Sequence, residues 1–319
     1  MSQHWDEYWQ QGHLTSFGES FTGNYSGVLQ TVWIEEFEKL PEAFKLLDLA
    51  TGNGALPLLV NQYFKGKDKR GRVDGVDLAV INTDLSKQLL AEEVSLELKS
   101  SIDCCQLPFA SETYDLVMSQ YGIEYSDLSR SIPEALRVLK PQGRLVIVTH
   151  HHKSMIIIRN QNILTLVSSK EVDEVFNVLV ELINSMGHIS DSKALEAIKN
   201  DPACEQIRKR LNTLVAALAA RDESALKDSE LLSYIMAIFK QGLFWTVEQK
   251  LQYVDYAKNQ IATLKHRLTE LASAALSNDD TLKLKSLFSH NGATIEGVTP
   301  VEDSDKQLLA WRISAIKNA

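Results

Sequence analysis

Cysteine is scarce in this chain. The three residues present, Cys104, Cys105 and Cys204, are too few and too unevenly spaced for a zinc site or a disulfide framework, and they suit a reducing compartment. Long apolar runs are missing as well: the stretch 155–158 stops far short of the roughly 20 residues a membrane-spanning helix needs, so no membrane association is expected. The opening MSQHWDEYWQQGH has no basic start followed by an apolar core, which argues against a signal peptide and for a cytoplasmic protein. Positive charge is in deficit, with 33 Lys and Arg against 42 Asp and Glu. Phosphate binding needs clustered basic residues, so no nucleic-acid partner is expected. The one basic cluster, Lys65, Lys67, Lys69, Arg70 and Arg72, falls between a helix and the following strand, on the face away from any ligand crevice, and reads as a solvated loop. Repeats and low-complexity tracts are absent. At 319 residues the chain can bury a core without staples, as one large domain or two small ones.

What is present is an alternation of apolar runs and helical patterns built around residues 46–58, LLDLATGNGALPL. An apolar run ends at Asp48 and a small-residue turn, and a helical pattern opens beyond it, which predicts strand, turn, helix. Gly52 and Gly54 let backbone approach a ligand closely, and the helix start offers unpaired N–H groups to an anionic group. A nicotinamide fingerprint would have a third glycine where Pro57 stands. Residues 72–78 read as a second strand with Asp77 at its end, 23 residues beyond Gly54, near the distance at which an acid meets ribose hydroxyls. A weaker third strand is expected at 95–101. Residues 114–119 and 144–150 read as buried parallel strands, separated by a helix over 131–139 and a turn at 140–143. Two further strands, 293–301 and 308–316, flank a polar turn. Strands alternating with helices argue for a parallel sheet.

Three consecutive stretches then become specific: Asp103 leading to LPF, YDLVMSQYGIEY, and EALRVLKPQGRLVIVTH. Together with DLATGNG they resemble, in order and spacing, the motifs of small-molecule class I methyltransferases that use S-adenosylmethionine (SAM), of the Methyltransferase-11/25 type. The resemblance covers most of 46–150, with Ala50 in place of the usual first glycine. It implies a Rossmann-like, doubly wound, mostly parallel sheet closed by a C-terminal antiparallel strand, with SAM as cofactor. It also implies that Asp48, Ala50, Gly52 and Gly54 hold the methionine end, that Asp77 with Leu78 takes the ribose, that Asp103 and Cys104 flank the adenine, and that Ser119 and Gln120 line the pocket near the sulfonium.

Residues between His150 and Asn291 are helical by pattern and too long for a strand connection, which predicts a large helical insert after the fifth strand. The expected division is 1–152 with 288–319 as the SAM domain and 153–287 as the insert, serving as a lid, an acceptor-binding element or a homodimer interface. Aromatics at Phe239, Phe244, Trp245, Tyr253 and Tyr256 gather around Gly242, and Trp5, Tyr8, Trp9, Phe17 and Phe21 suggest an N-terminal flap. Methyl transfer needs a base only when the acceptor carries a proton to lose; the candidates are Tyr121, Tyr125 and His150. No metal is expected, because only His150 and His152 of the histidine run could share a face. The reading is a SAM-dependent methyltransferase acting on a small molecule. Two alternatives stay open beside it: an NAD(P)-dependent oxidoreductase, and a methyltransferase fold that binds SAM or a partner without turnover.

Overall fold

The strands expected from the sequence all fall in one seven-stranded sheet. The computed structural model describes residues 3–16, 23–85 and 88–319. A short helix α1 (Gln3–Gln10) and helix α2 (Gly27–Glu38) precede β1 (Ala43–Leu49), and α3 (Ala55–Phe64) links it to β2 (Arg70–Val76). Strands β3 (Val94–Lys99) and β4 (Tyr114–Gln120) follow, then a single 3-10 turn at Ile123–Tyr125, α4 (Leu128–Val138) and β5 (Leu139–His150). Neighbouring strands β1 to β5 pair in parallel, in the order β3-β2-β1-β4-β5. Such strands are covered on both faces, and the side chains alternate accordingly. Leu46, Leu116, Met118, Val146 and Val148 pack with Trp33, Phe37 and Phe64 on one face, while Leu47, Leu49, Val117, Leu145 and Ile147 pack with Ile132 and Leu136 on the other.

The expected turn at 140–143 lies within the bounds of β5. Tyr114 stands opposite Leu139 and Leu116 opposite Arg144, so four residues bulge past the single Asp115, with Gln142 at φ 64°. Lys140 pins the bulge through Nζ to Asp115 Oδ1 at 2.7 Å.

Beyond β5 the chain enters α5 (Met155–Val167) and a second compact unit, residues 158–273. That unit holds α6 (Lys170–Met186), α7 (Ser192–Lys199), α8 (Pro202–Arg221), α9 (Glu223–Asp228), α10 (Leu231–Lys240) and nearly all of α11 (Val247–Ala274), around a core of its own. The buried stripe of α11 runs through Lys250, Val254, Ala257, Ile261 and Leu268. Leu251, Leu264 and Leu271 are only partly buried. Trp245 packs on the backbone of Gly242, its ring 5.5 Å from that of Tyr253, which lies 5.7 Å from Tyr256; Phe244 is exposed.

The expected insert ran to residue 287, whereas α12 (Asn278–His290) belongs to the first unit, 1–157 with 274–319. Its Leu284 and Phe288 are buried in the core formed by α4 and β5. Strands β6 (Ala293–Glu302) and β7 (Leu308–Lys317) then complete the sheet, with β7 antiparallel between β5 and β6. Among the described residues, no helix is long and apolar enough to cross a membrane.

A buried carboxylate ties α2 to the closing strands. Glu36, with its side chain fully enclosed, accepts from Lys39 Nζ at 3.0 Å, Arg144 Nε at 2.8 Å and Arg312 Nη2 at 2.5 Å. Burial alone would raise its pKa, but hydrogen bonds from Arg144, Lys39 and Arg312 outweigh that and hold the carboxyl below the usual range. A depressed acid stabilises the fold above its unfolded value, about 4.3, and loses that contribution as pH falls through the folded one. Glu36→Gln is therefore expected to cost about 2 kcal/mol in urea unfolding at pH 7 and less at pH 4. An equal loss at both pH values would remove the charge from this account.

Candidate active site

The strand order reverses between β1 and β4, and in open α/β sheets ligands bind at that point, beyond the carboxyl ends of the strands. A cleft of about 320 Å³, mouth included, lies there. Asp48, Ala50 and Thr51 from the end of β1, Gln120 and Tyr121 from the end of β4, and Tyr25 ahead of α2 form its inner wall. Trp9, Leu14 and Ser16 of the N-terminal segment close the other side.

The turn after β1 is built from left-handed backbone. Ala50 has φ 55°, Gly52 φ 53° and Gly54 φ 86°. Glycine reaches that region without strain, but Ala50 does not. Room for its methyl comes from Gly122: a Cβ there would stand 2.4 Å from that of Ala50. Thr51 Oγ1 donates to Asp48 Oδ2 at 2.6 Å. Burial pushes the Asp48 carboxyl up to about 8, with the charge of Asp77 adding to the rise and Thr51 opposing it.

Asp77, at the end of β2, reaches the same turn. Its Oδ2 accepts the Gly52 N–H at 2.8 Å and its Oδ1 the Ala79 N–H at 2.9 Å. Each oxygen keeps a second lone pair for a ligand hydroxyl. Burial raises this carboxyl to about 6 against the pull of the two N–H groups. Ile102 N–H donates to Asp77 O at 2.9 Å and sets the Asp103 turn beside it. There Asp103 Oδ1 accepts from Cys105 N–H at 2.8 Å, and burial pushes the Cys104 thiol up to about 12, so it serves as a small apolar surface. Leu78 is half exposed next to Asp77.

The expected N-terminal flap is α1 with the turn behind it, in so far as it is described; Phe17 and Phe21 lie outside the described residues. Trp9 lies on Gly52, packed with Tyr8, Ala79, Ile81 and Leu98. Asn53 Nδ2 holds the segment by donating to Trp9 O at 2.9 Å and His13 O at 2.7 Å, and Asp6 Oδ1 accepts from Val80 N–H at 2.7 Å.

Ser119, expected at the ligand, has other work, and Tyr121, expected as a base, is unsuited to it. Ser119 is fully buried, donates to Leu49 O at 2.8 Å and accepts from Ile123 N–H at 3.0 Å, so it staples β1 to the 3-10 turn and does not line the cleft. Tyr121 does line it, but burial lifts its phenol further above the ordinary value, which suits a neutral donor and not a base. Its neighbour Gln120 accepts at Oε1 from Trp33 Nε1 at 2.5 Å. His150 lies behind Tyr121, with ring centroids 4.4 Å apart, and Tyr125 meets it edge-on at 6.0 Å. Sequence reasoning missed what fixes His150: Glu124 Oε1 accepts from its backbone N–H at 2.9 Å and pairs with ring Nδ1 at 2.8 Å. The signal was one acid inside the apolar and aromatic run YGIEY. His151 turns away onto Trp311, at 4.3 Å, and His152 Nδ1 meets Leu276 O at 3.2 Å, so the histidine run does not converge.

Residues 47–147 match the methyltransferase domain family. The ubiquinone/menaquinone biosynthesis C-methyltransferase UbiE of Rickettsia massiliae (strain Mtu5) is 29% identical over 128 residues, 37% of this chain and 50% of the relative. Its counterpart in Rickettsia bellii (strain OSU 85-389) is 28% identical over 149 residues, 44% and 55% of the two chains. The chain thus spans about half the length of the curated relatives it matches. Among solved structures, the CurJ carbon methyltransferase overlaps 92% of this chain and 54% of its own at 12% identity and TM-score 0.45. A SAM-dependent methyltransferase from Methanosarcina mazei overlaps 90% and 97% at 14% identity and TM-score 0.41. With the glycine turn, the acid at the end of β2 and the order β3-β2-β1-β4-β5-β7-β6 in one sheet, the chain carries a class I SAM-dependent methyltransferase domain.

Proposed function

We propose that the protein transfers a methyl group from SAM to a small-molecule acceptor. The observation that carries this reading is the Asp77 carboxylate, brought from 25 residues away onto the N–H of Gly52 at the mouth of the glycine turn. The residues present suit an adenosyl cation. Asp48 lies in the cleft and Asp77 beside the turn, both glycines have the backbone that close approach needs, and the Asp77 oxygens keep capacity for ribose hydroxyls.

SAM, when bound, supplies a methyl group on a sulfonium that departs as a neutral thioether. The protein's part is to hold both reactants in line and keep water out, which can supply much of the acceleration. Asp48 and the turn fix the methionine end, Asp77 the ribose, and the Asp103 turn the adenine edge. Trp9 covers Gly52 and shields the cleft from solvent. Tyr121 and Tyr25, held neutral by burial, present hydroxyl donors and aromatic faces at the inner end, and aromatic faces favour a sulfonium. For an acceptor that loses a proton, His150 with Glu124 is the base nearest that wall. Acceptor choice is assigned to the helical unit at 158–273, which has its own core and the aromatic group of Trp245, Tyr253 and Tyr256. Self-association through that unit is part of the same proposal.

The test is deuteromethyl-SAM incubated with the protein and a metabolite extract, read by mass spectrometry for a transferred label. Label appearing on a small metabolite supports the reading. Label only on protein or RNA, or hydride exchange with NAD in its place, overturns it.

A further inference from the structure

Glu124 has one oxygen too many for the partners around it. Its side chain is fully enclosed, and Oε1 serves both the backbone N–H and the ring Nδ1 of His150. The buried Oε2 has no hydrogen-bond partner among the described residues. Buried carboxylate oxygens are rarely left so, because the lost hydration is not replaced. Nor can the group swing out to water. Its turn is closed by Tyr125 N–H to Gly122 O at 3.0 Å, by Ile123 N–H to Ser119 Oγ at 3.0 Å, and by the bonds to the end of β5. The charge acts on Tyr25 and Tyr121, the two phenols that line the inner wall of the cleft. Among the described residues that line the cleft, none is Lys or Arg.

We propose that Glu124 is the counter-charge for the methyl donor's sulfonium: a carboxylate clamped by His150 behind Tyr25 and Tyr121, whose unpaired oxygen makes the cleft prefer a cationic ligand to its neutral analogue. This rests on the methyl-donor reading above. Asp48 does not discriminate in the same way. It belongs to the methionine end, whose ammonium is common to SAM and S-adenosylhomocysteine, whereas the sulfonium is present only before transfer. His150 acts here as a positioning residue, since it sets the direction of the free oxygen by occupying the other one. The arrangement favours the charged donor and weakens the hold on the neutral thioether once the methyl has gone.

The experiment is calorimetry of SAM and S-adenosylhomocysteine binding to wild type and Glu124→Gln. The amide is isosteric and keeps an oxygen for the His150 N–H groups. The expected result is at least a tenfold loss for SAM, about 1.4 kcal/mol, with S-adenosylhomocysteine changed less than twofold. Parallel losses for both ligands would show a merely structural role and overturn the proposal, as would no change for either. If wild type binds neither ligand, the methyl-donor reading itself fails and this inference with it, an outcome distinct from the others. Should Glu124→Gln fail to fold, wild type decides through sinefungin, whose amine carries a positive charge where S-adenosylhomocysteine has a thioether. Sinefungin should bind at least tenfold more tightly, and equal affinity overturns the proposal.

Discussion

Gly122→Ala is expected to destabilise the protein by about 3 kcal/mol, the upper end for a small overpacking change in a close-packed interior. The added Cβ would stand 2.4 Å from the Ala50 methyl and 3.1 Å from Ala50 O, and backbone has no rotamer with which to give way. The two positions read as a compensated pair, in which an alanine stands in left-handed backbone and a glycine opposite makes room for it. Ala50→Gly alone should change stability little. Relief of left-handed strain, about 1 to 2 kcal/mol, is opposed by glycine's entropy cost, about 0.5 to 1 kcal/mol. The double variant should recover most of the loss, a coupling of more than about 1.5 kcal/mol in urea unfolding. Additive effects would mean that the two Cβ positions do not compete.

The second large effect is on ligand affinity. Asp77→Ala removes the acceptor for the ribose hydroxyls and both anchors of the turn, on Gly52 and Ala79. Hydrogen bonds to a charged group contribute roughly 1.5 to 3 kcal/mol each, so two of them predict about a hundredfold or greater loss in SAM affinity. Asp77→Asn keeps one acceptor oxygen and should lose roughly a tenth as much affinity. Calorimetry on folded variants checks both, and an Asp77→Ala protein within threefold of wild type would take Asp77 out of the site.

Much of the sheet was legible in the sequence for a physical reason. Parallel strands buried on both faces read as apolar runs, and β1, β4 and β5 are such runs. The glycine turn and Asp77 were legible because their chemistry depends on a spacing. The polar turn flanked by strands at the C-terminal end found the closing hairpin, although sequence could not show that β7 would insert between β5 and β6. What stayed hidden depends on contacts far apart in the chain. Glu124 meets His150 across 26 residues, and Trp33 meets Gln120 across 87, with no local pattern to announce either. Helix α12 carries the same amphipathic signal as the insert helices, so only its packing against α4 and β6 places it in the first unit. On α11 the buried stripe holds Val254, Ile261 and Leu268 together with Lys250 and Ala257, two residues whose type does not announce burial. Ser119 was expected at the ligand because its motif position is near it, yet its hydroxyl is fully engaged by the backbone on both sides.

The central claim, that a cationic adenosyl donor binds at the ends of β1 and β2, is tested most directly by calorimetry of SAM binding at pH 7 in two buffers of different ionisation enthalpy. Free Asp48, raised to about 8 by burial, is mostly protonated at that pH. A bound cation favours the carboxylate and lowers its pKa, so binding should release a proton, and affinity should rise with pH until about 8 and level off above it. SAM is expected to bind with release approaching one proton, a release that Asp48→Asn abolishes, and NAD is expected to show no measurable binding. Tight NAD binding without SAM binding, or SAM binding with proton uptake, would contradict it.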